Sequence, residues 1–400
     1  MENNTLLKDH FLYLNGNNSK NGYIAIGCKQ EIVFTSNNIQ LNKLNEFINI
    51  PNAWKFGFIN YDLKNEFESL TSNNIEELEF PEVHFFIPKT LFKIGENKIT
   101  LVYGDNSILS EVKEFLFNRK EIQHDAIQLT PRISKEEYLS KINSIKKHIQ
   151  QGDIYEMNFC YEYYSENAII NPIETYQKLN TKTNAPFSCF GKFNSNYILS
   201  ASPERYIKKI GSQITSQPIK GTTSRGTSKK EDLVQIENLK NNQKERSENI
   251  MIVDLVRNDL SKIAAKNSVK VEELCGIYTF ETVHQMISTI TATIKPEANF
   301  IDILKATFPM GSMTGAPKIR AMELIEEYES TKRGVYSGCV GYITPDDDFD
   351  FNVIIRTLLY NSEKKYLSCM VGGAITSKSN EQDEYQETLL KAKAILEALK

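Results

Sequence analysis

In the run SQPIKGTTSRG, residues 216–226, Lys220 stands between a proline-isoleucine pair and a glycine-threonine pair. Pro218 fixes φ and removes a backbone donor, and Gly221 permits close backbone approach, so Lys220 is expected at a constrained strand end. A lysine held there can be a reagent, an amine that attacks carbon; it can equally be a solvated charge beside a turn. Two carboxylate pairs add a second chemistry. Glu245 and Glu248 lie three apart and share a helix face that Ile252 continues into apolar territory, and Glu384 and Glu387 repeat the interval. Each pair alone reads as well as a surface or helix-terminal feature. Converging from two helices, they would offer hard oxygen ligands to Mg²⁺, which takes one or two carboxylates and keeps water or substrate.

Further candidates follow. GSMTGAPK, residues 311–318, feeds a helix start, so donors around Ser312 and Thr314 are available to an anion; it lacks the glycine and lysine order of a P-loop. Arg356 alternates with Val353 and Ile355 in FDFNVIIRTLLY, which on a regular strand sets it on the opposite face, and a guanidinium holds a carboxylate bidentately. An ordinary ion pair is the alternative. Gly372 and Gly373 end the next strand, where a ligand or a β-bulge would use the missing side chains. His284 lies in a mixed stretch and reads as a satisfied core histidine.

These residues need elements to hold them. Residues 1–130 read as short strands (GYIAIG, EIVFT, KFGFINYD, VHFFIP, KITLVYG) with Asn/Gly turns and a helix near Ser110–Arg119. They carry no catalytic constellation and are expected to complete a sheet within the same body as residues 131–400. In the second part, Ser134 and Glu137 have capping-box spacing, and Tyr138, Ile142, Ile145 and Ile149 recur at helical intervals before Gly152. Strands follow at IYEMNFCYEYY and NYILSASPERYIKKI, then one long helical zone from Glu231 to Leu260, and a helix opened by Pro317. Three strands, VYSGCVGYI, FDFNVIIRTLLY and YLSCMVGGAIT, precede a helix with Tyr385, Leu389, Ala392, Leu396 and Leu399 on one face. Consecutive strands rather than βαβ alternation argue for a largely antiparallel α+β fold.

The composition, 40% hydrophobic and 24% charged over 400 residues, is that of a folded globular chain. A net charge of −4 gives no footprint for nucleic acid or an anionic membrane, and favours a small-molecule substrate. Six cysteines without C-x-x-C spacing are read as reduced, buried thiols, and five dispersed histidines do not suggest a Cys/His zinc site. The N-terminus lacks a basic start and a long apolar core, and no apolar run suits a membrane span, so a cytoplasmic location is expected.

Taken in order, GDIYEMNF, SASPERY, PIKGT, ERSENIMIVDLVRNDL, FPMGSMTGAPKIRAM, VYSGCVGYI, IIRT and EYQET closely resemble the chorismate-utilising enzyme family over roughly residues 130–400. The resemblance implies two large packed antiparallel sheets with helices outside. It also implies a reaction on chorismate. Lysine at position 220 resembles the branch that makes 4-amino-4-deoxychorismate, the precursor of para-aminobenzoate and folate, whereas anthranilate-forming members usually carry alanine there. The implied route has Lys220 attack carbon 2 as the carbon 4 hydroxyl leaves, and ammonia then attack carbon 4 and expel the lysine. Lys220 must react as the neutral amine, so its pKa is expected to fall from about 10.4 through desolvation or a nearby cation. Glu204 resembles the acid that protonates the departing hydroxyl. Glu245, Glu248, Glu384 and Glu387 match the acidic positions around Mg²⁺, which engages the ring carboxylate. Arg356 and Tyr336 match residues that bind the enolpyruvyl carboxylate, near Gly372 and Gly373; His284 matches a histidine near the ring, and Ser312 and Thr314 supply donors. Glu156 departs from the pattern: amino-transferring members commonly have glutamine there, and water-adding members lysine. The alternatives are an anthranilate-forming lyase, opposed by Lys220; an isochorismate-forming isomerase, opposed by Glu156; and a non-catalytic chorismate-binding subunit, opposed by the intact set of reactive residues. Ammonia is expected from a separate glutamine amidotransferase subunit.

Overall fold

The computed structural model describes residues 5–7, 10–17, 21–36, 38–96, 98–117, 127–281 and 283–400. The first part holds β1 (His10–Asn15), β2 (Gly22–Phe34), β3 (Lys55–Ile59), β4 (Val83–Ile94) and β5 (Ile99–Tyr103), with helices α1 (Leu41–Ile48) and α2 (Leu109–Phe117). The expected helix near Ser110–Arg119 is α2 as far as Phe117; its last two positions lie outside the described residues. Next come β6 (Thr130–Pro131), α3 (Lys135–Gln151), β7 (Glu156–Ser165), α4 (Pro172–Thr183), β8 (Phe187–Phe193), β9 (Asn196–Ser202), β10 (Arg205–Ile210), β11 (Gln213–Gln217) and β12 (Ile219–Ser224). Helices α5 (Lys229–Asn241) and α6 (Gln243–Ile263) lead to β13 (Lys270–Thr279), β14 (Val283–Thr293), α7 (Phe300–Thr307), β15 (Gly315–Ala316) and α8 (Lys318–Tyr328). The chain closes with β16 (Cys339–Ile343), β17 (Phe349–Val353), β18 (Thr357–Asn361), β19 (Tyr366–Thr376) and α9 (Glu381–Glu397).

The class is α+β, and every pairing between these strands is antiparallel. The pairings form one hydrogen-bonded path. It runs from β7 through β19, β18, β9, β8 and β1, continues through β2, β4, β3, β16, β17, β10 and β11, and ends at β14 with β12 and β13 beside it. Strands β1–β4 thus lie mid-path. The buried apolar side chains gather into two large clusters. One holds Phe56, Phe86 and Phe351 with Ile252 of α6 and Leu304 of α7; the other holds Phe11, Phe159 and Phe190 with Tyr138 of α3, Leu324 of α8 and Ile395 of α9.

Local chemistry sets the helix ends as the sequence suggests. The Ser134 hydroxyl accepts from the Glu137 N–H at 3.1 Å, and Gly152 ends α3 at φ 86°. Three sequence readings change. The long helical zone is two helices, because Asn242 takes an extended conformation and its side chain accepts the N–H groups of Lys244 and Glu245, starting α6. NYILSASPERYIKKI is two strands, broken at Pro203–Glu204, and FDFNVIIRTLLY is two strands, broken at Ile354–Arg356. The breaks are side by side: β9 pairs β18, β10 pairs β17, and the Val353 N–H donates to the Glu204 carbonyl at 3.0 Å. Both chain segments cross here from one half of the strand path to the other.

Candidate active site

Lys220 lies in β12 where the register with β14 slips, Ile219 facing Ile287 and Thr222 facing Gln285. Lys220 thus sits at the constrained strand end expected of it, and the extra residue makes that end a bulge at Lys220–Gly221, with Gly221 at φ 92°. The bulge aims Lys220 at β7, where its Nζ donates to Glu156 Oε1 at 2.7 Å. This ion pair is buried, Lys220 being 10% and Glu156 1% exposed. It joins the two ends of the strand path.

The expected lowering of the Lys220 pKa does not occur in this arrangement. Desolvation lowers it, but Glu156, Glu248 and Glu204 together outweigh that and the net shift is upward. Lys220 is therefore held as the cation.

Glu204 follows the strand break at Pro203, is 4% exposed, and accepts from Ser312 Oγ at 2.6 Å. Burial pushes its pKa up to about 7, against Ser312, Lys220 and Arg356, which pull it down. A carboxyl that stays protonated near neutrality suits proton donation. Arg356 sits in the matching break at φ 51°, so it is not the regular strand residue the alternation suggested. No carboxylate among the described residues lies within 4.0 Å of it. Burial draws its pKa down, with Tyr336 and Glu204 opposing. A desolvated guanidinium without a partner is a receptor for an anion. Tyr336 is buried beside it, its hydroxyl 3.9 Å from Cys160 Sγ.

The two acidic pairs converge. Asn242 caps α6 and Asn380 caps α9, so Glu245 and Glu384 fall in the first turns of their helices and Glu248 and Glu387 one turn further in. Two glycines let the carboxylates approach the strands: a Cβ on Gly221 would sit 3.1 Å from Glu245 Oε2, and one on Gly373 3.4 Å from Glu384 Oε2. Gly372 and Gly373 lie inside β19, which continues to Thr376 instead of ending at them. At Gly372 a Cβ would meet the Phe159 carbonyl at 2.4 Å, so the position must be glycine for β7 and β19 to pair. Burial raises Glu248 to about 8, and burial together with Glu387 raises Glu245.

Sequence reasoning missed two lysines here. Lys244 Nζ lies 3.0 Å from Glu384 and 3.9 Å from Glu248; Lys391 Nζ lies 2.7 Å from Glu387 and donates to the Gly372 carbonyl at 2.9 Å. Each stands four residues from a glutamate of its own helix, a spacing the sequence displays. Glu156, left without a role, proves to be the partner of Lys220.

The quartet offers only oxygen donors, and Glu248 Oε1 is buried without a hydrogen-bond partner. Those features fit a hard divalent cation. No three of the four carboxylates close to within 4.8 Å of one another, and Lys244 and Lys391 stand among them.

Two candidates stand apart. Both ring nitrogens of the buried His284 are engaged, Nε2 with Asp232 at 2.8 Å and Nδ1 with Thr279 at 2.9 Å, which matches the core reading of this histidine. Thr314 is buried and its hydroxyl donates to Met310 and Gly311 carbonyls in its own turn. Behind the site, Arg333 donates to Glu329 at 2.6 Å, to the Asn158 carbonyl at 2.7 Å and to the Met313 carbonyl at 2.5 Å, tying β7 to the turn that carries Ser312. Five of the cysteines are buried free thiols and Cys28 is partly exposed. Among the described residues, no helix is long and apolar enough to cross a membrane.

The chain is similar to known proteins along most of its length. It is 34% identical to aminodeoxychorismate synthase component 1 of Escherichia coli, over 86% of this chain and 76% of that one. Its structure superposes on anthranilate synthase component I of Streptococcus pneumoniae with a TM-score of 0.82 at 27% identity, covering 94% of this chain and 92% of the other. A menaquinone-specific isochorismate synthase of Escherichia coli shares the fold, with a TM-score of 0.77 at 16% identity over 100% of this chain and 92% of that one. Residues 9–397 match the family model of the chorismate binding enzymes, and the chain belongs to that family.

Proposed function

We propose that this protein is an aminodeoxychorismate synthase component, converting chorismate and ammonia to 4-amino-4-deoxychorismate through an adduct on Lys220. The observation that carries the reading is Lys220 itself, a buried amine aimed by a bulge at Glu156, near a carboxyl poised near pH 7 that also feels the Arg356 guanidinium. In the first step the Lys220 amine bonds to carbon 2, both double bonds of the ring diene shift one position toward carbon 4, and the carbon 4 hydroxyl leaves as water with the proton of Glu204. In the second, ammonia bonds to carbon 4, both double bonds return, and the carbon 2–nitrogen bond breaks to release Lys220. Arg356, with Tyr336 beside it, receives the enolpyruvyl carboxylate. Mg²⁺ bound by Glu245, Glu248, Glu384 and Glu387 would supply a receptor for the ring carboxylate. Cancelling the charge of Glu248 and protonating Glu204 removes two of the influences that hold Lys220 as a cation, leaving desolvation opposed by Glu156. Ammonia comes from a second, glutamine-hydrolysing polypeptide, a reading supported by the component name of the Escherichia coli relative.

The test is product identity. With chorismate, Mg²⁺ and ammonium, the protein should release a product with the mass of 4-amino-4-deoxychorismate. Lys220→Ala should lose that product while still binding chorismate; anthranilate or isochorismate from the unaltered protein, or undiminished product from the variant, would refute the assignment.

A further inference from the structure

Two of the histidines that look dispersed in the sequence are gathered by the sheet. His10 opens β1, Cys28 and Glu31 lie in β2, and His84 lies in β4. Cys28 and Glu31 are three apart and would face opposite sides of a regular strand. The register of β2 against β4 slips between Cys28, facing Pro88, and Gln30, facing Ile87, and this bulge brings the two onto one face. Three atoms then converge: His10 Nε2 and His84 Nε2 are 3.0 Å apart, and each lies 2.9 Å from Glu31 Oε2. Cys28 offers its sulfur, within 4.8 Å of the ligand atoms of His10 and Glu31.

We infer that His10, Cys28, Glu31 and His84 form a tetrahedral transition-metal site, with Zn²⁺ the ion its donors suit. Two imidazoles, a thiolate and a carboxylate make a borderline-soft donor set that discriminates against Mg²⁺ and Ca²⁺. Zn²⁺ bonds of about 2.0–2.3 Å separate tetrahedral ligand atoms by roughly 3.3–3.7 Å, so the triangle of nitrogens and oxygen needs to open by a few tenths of an ångström, and the Cys28 sulfur, which groups with His10 and Glu31 but not with His84, needs to swing toward His84 to become the fourth ligand. The imidazoles are backed by aromatic rings, His10 by Phe86 at 5.3 Å and His84 by Phe193 at 5.0 Å, which exclude water from the buried side. Cys28 and Glu31 leave the other side open to solvent. Binding would replace the proton shared between the two Nε2 atoms and release the thiol proton, with no change of oxidation state. The site would fasten β1, β2 and β4, strands that carry none of the catalytic candidates.

The full chain, stripped with a chelator and held in excess Mg²⁺ to saturate the carboxylate quartet, is titrated with Co²⁺ and then Zn²⁺. Co²⁺ should bring up a thiolate-to-metal charge-transfer band, Zn²⁺ should abolish it stoichiometrically, and Zn²⁺ should raise the Tm. Cys28→Ser should lose the band, and Glu31→Gln should weaken Zn²⁺ binding at least about tenfold; both positions are partly exposed, so neither change threatens folding. Absence of the band at saturating Co²⁺, its persistence in Cys28→Ser, or unaltered Zn²⁺ affinity in Glu31→Gln would overturn the site.

Discussion

At the scale of single residues, the proposed reaction asks opposite things of two neighbours: Lys220 must lose a proton and Glu204 must keep one. Turnover should rise with pH as Lys220 deprotonates and fall above about pH 7 as Glu204 ionises. Glu204→Gln should lower kcat by about 10²–10⁴-fold and remove the falling limb, because the amide cannot donate a titrating proton. A profile unchanged in that variant would dismiss Glu204 as the acid. Glu156 is the first of the charges that raise the Lys220 pKa. Glu156→Gln should therefore move the rising limb of adduct formation to lower pH, measured by the mass of the trapped adduct in single-turnover reactions. An unmoved limb would mean that another group governs the amine.

At the scale of elements, the site depends on how helices and strands are fixed to one another. The Arg333–Glu329 pair is almost fully buried, at 1% exposure on each side, and its hydrogen bonds reach β7 and the turn carrying Ser312. Glu329→Ala leaves a guanidinium buried without its counter-ion, and should cost about 3–5 kcal/mol, read from the urea midpoint. A loss below about 1 kcal/mol would show that the carbonyl partners alone suffice. Helices α6 and α9 bring four acids together with two lysines. Chelation should abolish turnover, and Glu248→Gln and Glu387→Gln should each raise the Mg²⁺ concentration needed for half-maximal rate. Full activity in a chelator would contradict the metal role of the quartet.

At the scale of the molecule, one path of strands returns on itself until β12 meets β7, so Lys220 and Glu156 close the structure as well as stand in its candidate site. With Lys220 and the carboxyl groups all on this chain, ammonium salts at a pH that supplies NH₃ should support product formation. Glutamine should not, until a glutamine-hydrolysing subunit is added. Glutamine-dependent product from the purified chain alone would overturn that division of labour.

The sequence by itself determined what local chemistry decides. Capping at Ser134, the αL stop at Gly152, the face shared by Glu245 and Glu248, and the collinear motifs around Lys220, Glu204 and Arg356 are all carried by residues close in the chain. Where the sequence misled, the cause was non-local. The runs through Glu204 and Arg356 read as unbroken strands, and only pairing between them shows why both must break at the same level. The expected fall of the Lys220 pKa was wrong because Glu156 lies 64 residues away and Glu248 on helix α6. His10 and His84 were dismissed for the same reason: 74 residues separate them, and the pairing of three strands brings their nitrogens to 3.0 Å. Spacing along a chain fixes which side chains share a face of one element, while a charge balance or a ligand triangle depends on which elements the core packs together.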